Sequence, residues 1–89
     1  MYTTYILFSD RLKKFYTGQT TDIIRRLEEH NRGKTAFLKS GIPWRLVYSK
    51  GFESRIDAID LESRIKKRGA ARFLLDHKIS VGWRITPQA

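Results

Sequence analysis

The 89-residue chain carries 18 lysines and arginines against 9 acids, for a formal net charge of +9, and contains no cysteine. That length suits one domain and excludes two, while the lack of cysteine excludes a disulfide framework and a thiolate zinc site and fits a reducing, cytoplasmic setting. No stretch approaches the roughly 20 apolar residues of a membrane span, and the first residues, MYTTYILFSDR, lack the basic start and small-residue cleavage site of a secretory signal.

Along the chain, TTYILFS at 3–9 is rich in β-branched and aromatic residues and predicts a strand, and KFYTG at 14–18 predicts a second. The polar DRLK between them would close a hairpin. Asp22 is a suitable N-cap for a helix through about Asn31, which Gly33 would stop. After Pro43, WRLVYSKGF at 44–52 predicts a third strand. Ser54 with Asp57 resembles a capping box and opens a helix to about Arg68, with Gly69 at its end. A third helix is expected from Ala70 to Lys78, followed by a tail whose Trp83 and Ile85 would pack on the core. The order is β-β-α-β-α-α. It describes one α+β domain over 1–89, with a core of about 3–78, a tail at 79–89 and a small three-stranded antiparallel sheet flanked by helices.

The charge exceeds what solubility requires, and an excess of this kind usually serves a polyanion, nucleic acid first. It is also unevenly spread: RIKKRGAAR at 64–72 has five bases and no acid. A local basic patch is expected there.

Helical geometry sorts the residues that could act chemically. At about 100° per residue, with Ile23 at zero, Leu27 falls near 40° and Ile24 near 100°, an apolar stripe for packing on the sheet. On that wheel His30 falls near −20° and Arg26 near −60°, both bordering the stripe, whereas Arg25 points to the opposite side and reads as surface. In the second helix, Leu61, Ala58, Ile65 and Ile59 mark an arc from about −60° to about 100° that encloses Glu62 near 40°. A carboxylate on a packing face is costly unless it is paired or holds a metal; an i, i+4 pair with Lys66 is the simpler explanation. Tyr5 and Tyr16 lie on adjacent strands of the hairpin and could face the same side. His77, the only other histidine, suits a helix C-terminus.

Together these residues resemble the GIY-YIG endonuclease superfamily, and its small single-domain members in particular. Thr3-Thr4-Tyr5 stands at the first motif and Tyr16-Thr17-Gly18 at the second. Arg26 and His30 match the helix that follows, and Glu62, in AIDLESRIKK, matches the later helix that supplies a glutamate. The resemblance runs from Tyr5 to about Arg68.

It implies hydrolysis of DNA phosphodiester bonds with one divalent ion, Mg²⁺ or Mn²⁺, carried by Glu62, since a single carboxylate plus water and substrate phosphate can suffice for Mg²⁺. Arg26 would clamp the phosphate as charge builds. Tyr5, Tyr16 and His30 all stand as candidate bases. Lys34, Lys39, Arg45, Lys66, Lys67, Arg68 and Arg72 are candidate phosphate contacts, which position nucleic acid without reading its sequence. RNA is not excluded as a partner, nor is a protein that supplies specificity. A non-cleaving nucleic-acid-binding module of the same fold is the alternative.

Overall fold

The computed structural model describes residues 1–34 and 36–79. Its elements are strand β1 (Tyr2–Ser9), strand β2 (Lys14–Thr20), helix α1 (Ile23–Asn31), a 3-10 helix (Ala36–Gly41), strand β3 (Trp44–Phe52), helix α2 (Arg55–Arg68) and helix α3 (Ala70–Asp76). The three strands form one antiparallel sheet in the order β2-β1-β3, flanked by helices, as expected. Among the described residues no helix is long and apolar enough to cross a membrane.

The central position of β1 explains its composition. Successive strand residues point to opposite faces, and both faces are covered. Ile6 packs with Ile65, Phe73 and Leu74 under α2 and α3, while Tyr5 and Leu7 pack with Leu38, Trp44, Ile23 and Leu27 under α1 and the 3-10 helix. Every β1 residue from Thr4 to Ser9 is therefore buried, which is why TTYILFS shows no polar alternation. Thr4 meets the cost of its buried hydroxyl by donating to the Ala58 carbonyl of α2 at 2.7 Å.

The β1–β2 connection falls at 10–13, as predicted. The Lys13 N–H donates to the Ser9 carbonyl at 2.8 Å, the Leu12 N–H donates to Ser9 Oγ at 3.0 Å, and Lys13 itself takes the left-handed conformation at φ 57°. Strand β2 runs two residues past the expected Gly18, because Thr20 and Gln19 still pair with Thr3 and Thr4.

Several expectations about the helices are corrected. Asp22 caps α1 by accepting from the Arg25 N–H, but Ile24 is 72% exposed. The packing arc of this nine-residue helix centres on Ile23 and Leu27 and is completed by His30, which is fully buried rather than marginal. Likewise Ile59 is 44% exposed, because α2 meets the sheet through Ala58, Leu61 and Ile65. In both helices the apolar residue about 100° off the contact line has nothing to pack on. Ser54 does precede α2, yet its side chain makes no capping hydrogen bond, and the short Asp57 closes no box. Helix α3 stops at Asp76 instead of Lys78: His77 is its C-cap, with Nδ1 2.9 Å from the Phe73 carbonyl, and Lys78 is left-handed at φ 56°. The 3-10 helix was not anticipated. Ile79 joins the core, whereas the rest of the expected tail, with Trp83 and Ile85, lies outside the described residues.

Candidate active site

The site is built where β1, β2 and α1 meet. Tyr5 pairs across the hairpin with Gly18, and the missing side chain is what admits the Tyr5 ring. A Cβ at residue 18 would lie 2.7 Å from the Tyr5 hydroxyl and 2.9 Å from the ring carbon that bears it. The hydroxyl ends 3.3 Å from His30 Nε2. Tyr16, one diagonal step along β2, sets its ring 6.4 Å from that of Tyr5 and meets His30 edge-on at 5.3 Å. Three rings from three elements thus surround one point in the interior.

Arg26 lies one turn before His30 on α1. Its side chain is 43% exposed and its Nη1 is 3.5 Å from Glu29 Oε1, but its Nε is buried and, among the described residues, has no hydrogen-bond partner. A buried N–H of a charged group left in this state is costly, so the site presents a donor in need of an acceptor. The electrostatics are consistent with a phenol and a neutral imidazole side by side. Burial pushes the Tyr5 pKa above 10.0 against an opposing hydrogen bond and charge from the Arg26 guanidinium, whose Nε remains the unpartnered atom, and the Tyr16 and Glu62 charges add to the rise. Burial, reinforced by Arg26⁺, holds His30 below 6.5 against the opposing pull of Glu29. Arg26 is pushed further up by the adjacent Tyr5 hydroxyl and stays charged.

Glu62 stands on α2, and its charge adds the smallest of the contributions to the Tyr5 shift. Its side chain is 20% exposed, and Oε2 pairs with Lys66 Nζ at 2.8 Å, the i, i+4 contact that spacing suggested. Tyr5, Tyr16, Arg26 and His30 are therefore brought together from β1, β2 and α1, whereas Glu62 is linked to them through its charge on Tyr5 and through no contact among the described residues.

The GIY-YIG catalytic domain model matches residues 1–74. The chain belongs to the GIY-YIG family. A solution NMR structure of a UPF0213 protein from Bacillus halodurans is similar to it at 33% identity with a TM-score of 0.55, covering 91% of this chain and 89% of that one. A UPF0213 protein of Streptococcus pneumoniae is 40% identical over 55 residues, 61% of this chain and 56% of the relative. Another from Streptococcus agalactiae serotype V is 43% identical over 54 residues, 60% of this chain and 61% of the relative. The matched stretch covers less than two thirds of each streptococcal relative.

In this GIY-YIG domain the candidate phosphate contacts divide by position. Lys67 and Lys66 line a shallow groove with Glu62, and Lys66, Arg68 and Arg72 line another beside Tyr16. Lys34 and Lys39 follow the C-terminal end of α1, Lys39 against Gly33. Arg45 sits apart: it pairs across β1 with Phe8 and forks onto Asp10 at 2.9 and 3.2 Å near the hairpin turn. The basic run on α2 and α3 is also partly self-neutralised. Arg64 pairs with Asp60, Lys66 with Glu62, and Arg68 with Asp76.

A divalent ion is compatible with the donor chemistry here. Glu62 supplies a hard anionic oxygen on α2, although among the described residues no three His, Cys, Asp or Glu side chains converge into a ready-made cage.

Gly18 stands in the second motif, but its packing role and that of Asn31 were not read from the sequence. Gly18 was legible in principle, because a turn at 10–13 sets Ser9 opposite Lys14 and so Tyr5 opposite Gly18. Asn31 was not. Its side chain accepts from the Trp44 N–H at 2.6 Å and donates to the Trp44 carbonyl at 2.9 Å, fastening the end of α1, next to His30, to the start of β3.

Proposed function

We propose that this GIY-YIG domain is a divalent-metal-dependent endonuclease that hydrolyses phosphodiester bonds in DNA. The observation that carries the proposal is the Tyr5–His30–Arg26 cluster, in which a buried phenol, a neutral imidazole and a guanidinium with a buried, unsatisfied N–H lie together, with the Glu62 charge felt at Tyr5.

The chemistry follows from these environments. Arg26 holds a non-bridging oxygen of the scissile phosphate, its buried Nε gaining the acceptor it lacks, and so stabilises the charge that builds in the transition state. Tyr5 orients the attacking water. As the water oxygen bonds to phosphorus, its proton passes to the phenolic oxygen while the phenolic proton passes to His30 Nε2, and the phosphorus bond to the leaving oxygen breaks. His30 Nε2 lies 3.3 Å from the Tyr5 hydroxyl and so takes the proton through the tyrosine. Glu62 would hold the divalent cation, which supplies a Lewis acid for the charge on the leaving oxygen.

The Glu62–Lys66 pair favours a second reading, a nucleic-acid-binding module without turnover. One experiment separates the two: cleavage of supercoiled plasmid and of end-labelled flap, branched and single-stranded DNA with Mg²⁺ or Mn²⁺, by wild type and Glu62→Ala. The nuclease cleaves only with metal and loses cleavage, though not binding, in the variant. Salt-sensitive binding by a wild type that never cleaves would establish the binding module instead.

A further inference from the structure

A shallow groove of about 520 Å³ opens between the outer edge of β2 and the α2–α3 junction. Strand β2 is an edge strand, so among the described residues its outer backbone groups belong to no other strand. The opposite wall is Gly69, the break between α2 and α3. Its φ of +90° demands glycine, and a Cβ there would meet nothing within 4 Å. The floor is apolar, with Phe15 and the alanines that begin α3, and the rim holds Lys66, Arg68 and Arg72 with no acid among the lining residues. Two of these residues connect the groove to the candidate active site: Tyr16 meets His30 edge-on, and Lys66 pairs with Glu62.

We propose that this groove seats the base and sugar of one unstacked nucleotide next to the scissile phosphate. A duplex presents phosphates outward and keeps its base faces stacked, so it would use the cations and leave the apolar floor empty. An unpaired nucleotide uses both, its π-face on the floor and its flanking phosphates on the rim, the combination by which single strands are held. The volume falls within the range of about 300–1,000 Å³ usual for small-ligand sites. Arg72 supplies the cation, being exposed and, among the described residues, in no ion pair, whereas Arg68 is forked onto Asp76 at 2.8 and 3.0 Å. The orientation toward a scissile phosphate rests on the nuclease reading, but occupancy of the groove does not.

The test is binding of the full chain to end-labelled single-stranded, duplex and overhang oligonucleotides by fluorescence anisotropy in EDTA, where no cleavage can occur. Three variants are compared: Arg72→Glu on the rim, Ala71→Leu on the floor, and Lys50→Glu on the opposite edge strand as a charge-matched control. Wild type is expected to prefer single strands and overhangs. Arg72→Glu should lose about tenfold or more of single-strand affinity, about 1.4 kcal/mol, and more than it loses for duplex. Ala71→Leu should lower single-strand affinity without altering charge, and Lys50→Glu should weaken all ligands slightly and alike. The proposal is overturned if wild type binds single strand and duplex equally, if Arg72→Glu merely matches Lys50→Glu, or if no oligonucleotide binds, in which case the groove suits a protein segment. Retained single-strand preference without any cleavage in Mg²⁺ would sink the nuclease reading and leave the groove assignment standing.

Discussion

The hydroxyl of Tyr5 lies 3.3 Å from His30 Nε2, so that the central strand and helix α1 meet through two side chains almost wholly withdrawn from solvent. Burial moves their pKa values in opposite directions, Tyr5 up and His30 down, and thereby keeps both neutral at physiological pH. In the relay the phenol receives a proton from the water as it gives one to the imidazole, so Tyr5 stays neutral and the positive charge develops on His30.

Cleavage should therefore rise with pH through a midpoint below 6.5, as His30 loses its proton, and stay level through neutrality. His30→Ala should lower kcat by about 10² or more and abolish that acidic limb. Measuring kcat from pH 5 to 10 checks this. A rate that climbs steadily toward pH 10 would assign the limiting proton to Tyr5 itself.

The same shifts set how stability varies with pH. His30 titrates lower in the fold than in the unfolded chain, so acid protonates the unfolded state first; the stability present above pH 6.5 is lost as pH falls through the folded value. Tyr5 titrates higher in the fold, and its contribution, present below pH 10.0, is lost as pH rises through the folded value. Urea midpoints across pH should fall at both ends, and His30→Gln should flatten the acidic end.

Arg26→Lys keeps the charge but not the planar fork or the buried Nε position, so the substitution is not conservative at this site. We expect kcat to fall about 10²-fold, with DNA affinity changed much less. Equal losses in kcat and in affinity would make Arg26 a general binding residue rather than a transition-state clamp.

Gly18→Ala adds a methyl group 2.7 Å from the Tyr5 hydroxyl, and the bonded wall of β2 leaves the ring as the part that must move. The expected cost is about 1–3 kcal/mol in stability, with a fall in cleavage at matched folded fraction. Chemical denaturation and single-turnover cleavage test the two effects separately.

Asn31→Ala leaves the N–H and carbonyl of Trp44 without their side-chain partner and frees the end of α1. A loss of about 2 kcal/mol is expected. Asn31→Asp should cost less, because it can still accept from the Trp44 N–H. Urea denaturation of the two variants ranks them.

What the sequence determined by itself was the order of elements and the types of residue at the site. β-Branched and aromatic runs, Asp22 before α1 and Gly69 after α2 are local signals, and local energetics suffices to read them. The family motifs pointed to Tyr5, Tyr16, Arg26, His30 and Glu62 because their spacing survives in the linear chain. The tertiary structure decided how each is surrounded. Ile24 and Ile59 look like core residues on a wheel, yet the sheet touches only a narrow arc of each short helix and leaves them in water. Arg68 looks like a free phosphate ligand in a basic run, yet the turn into α3 carries Asp76 to it. Above all, the pKa shifts of Tyr5 and His30 come from burial between a sheet and a helix, a property of neighbours far apart in the chain that no local pattern encodes.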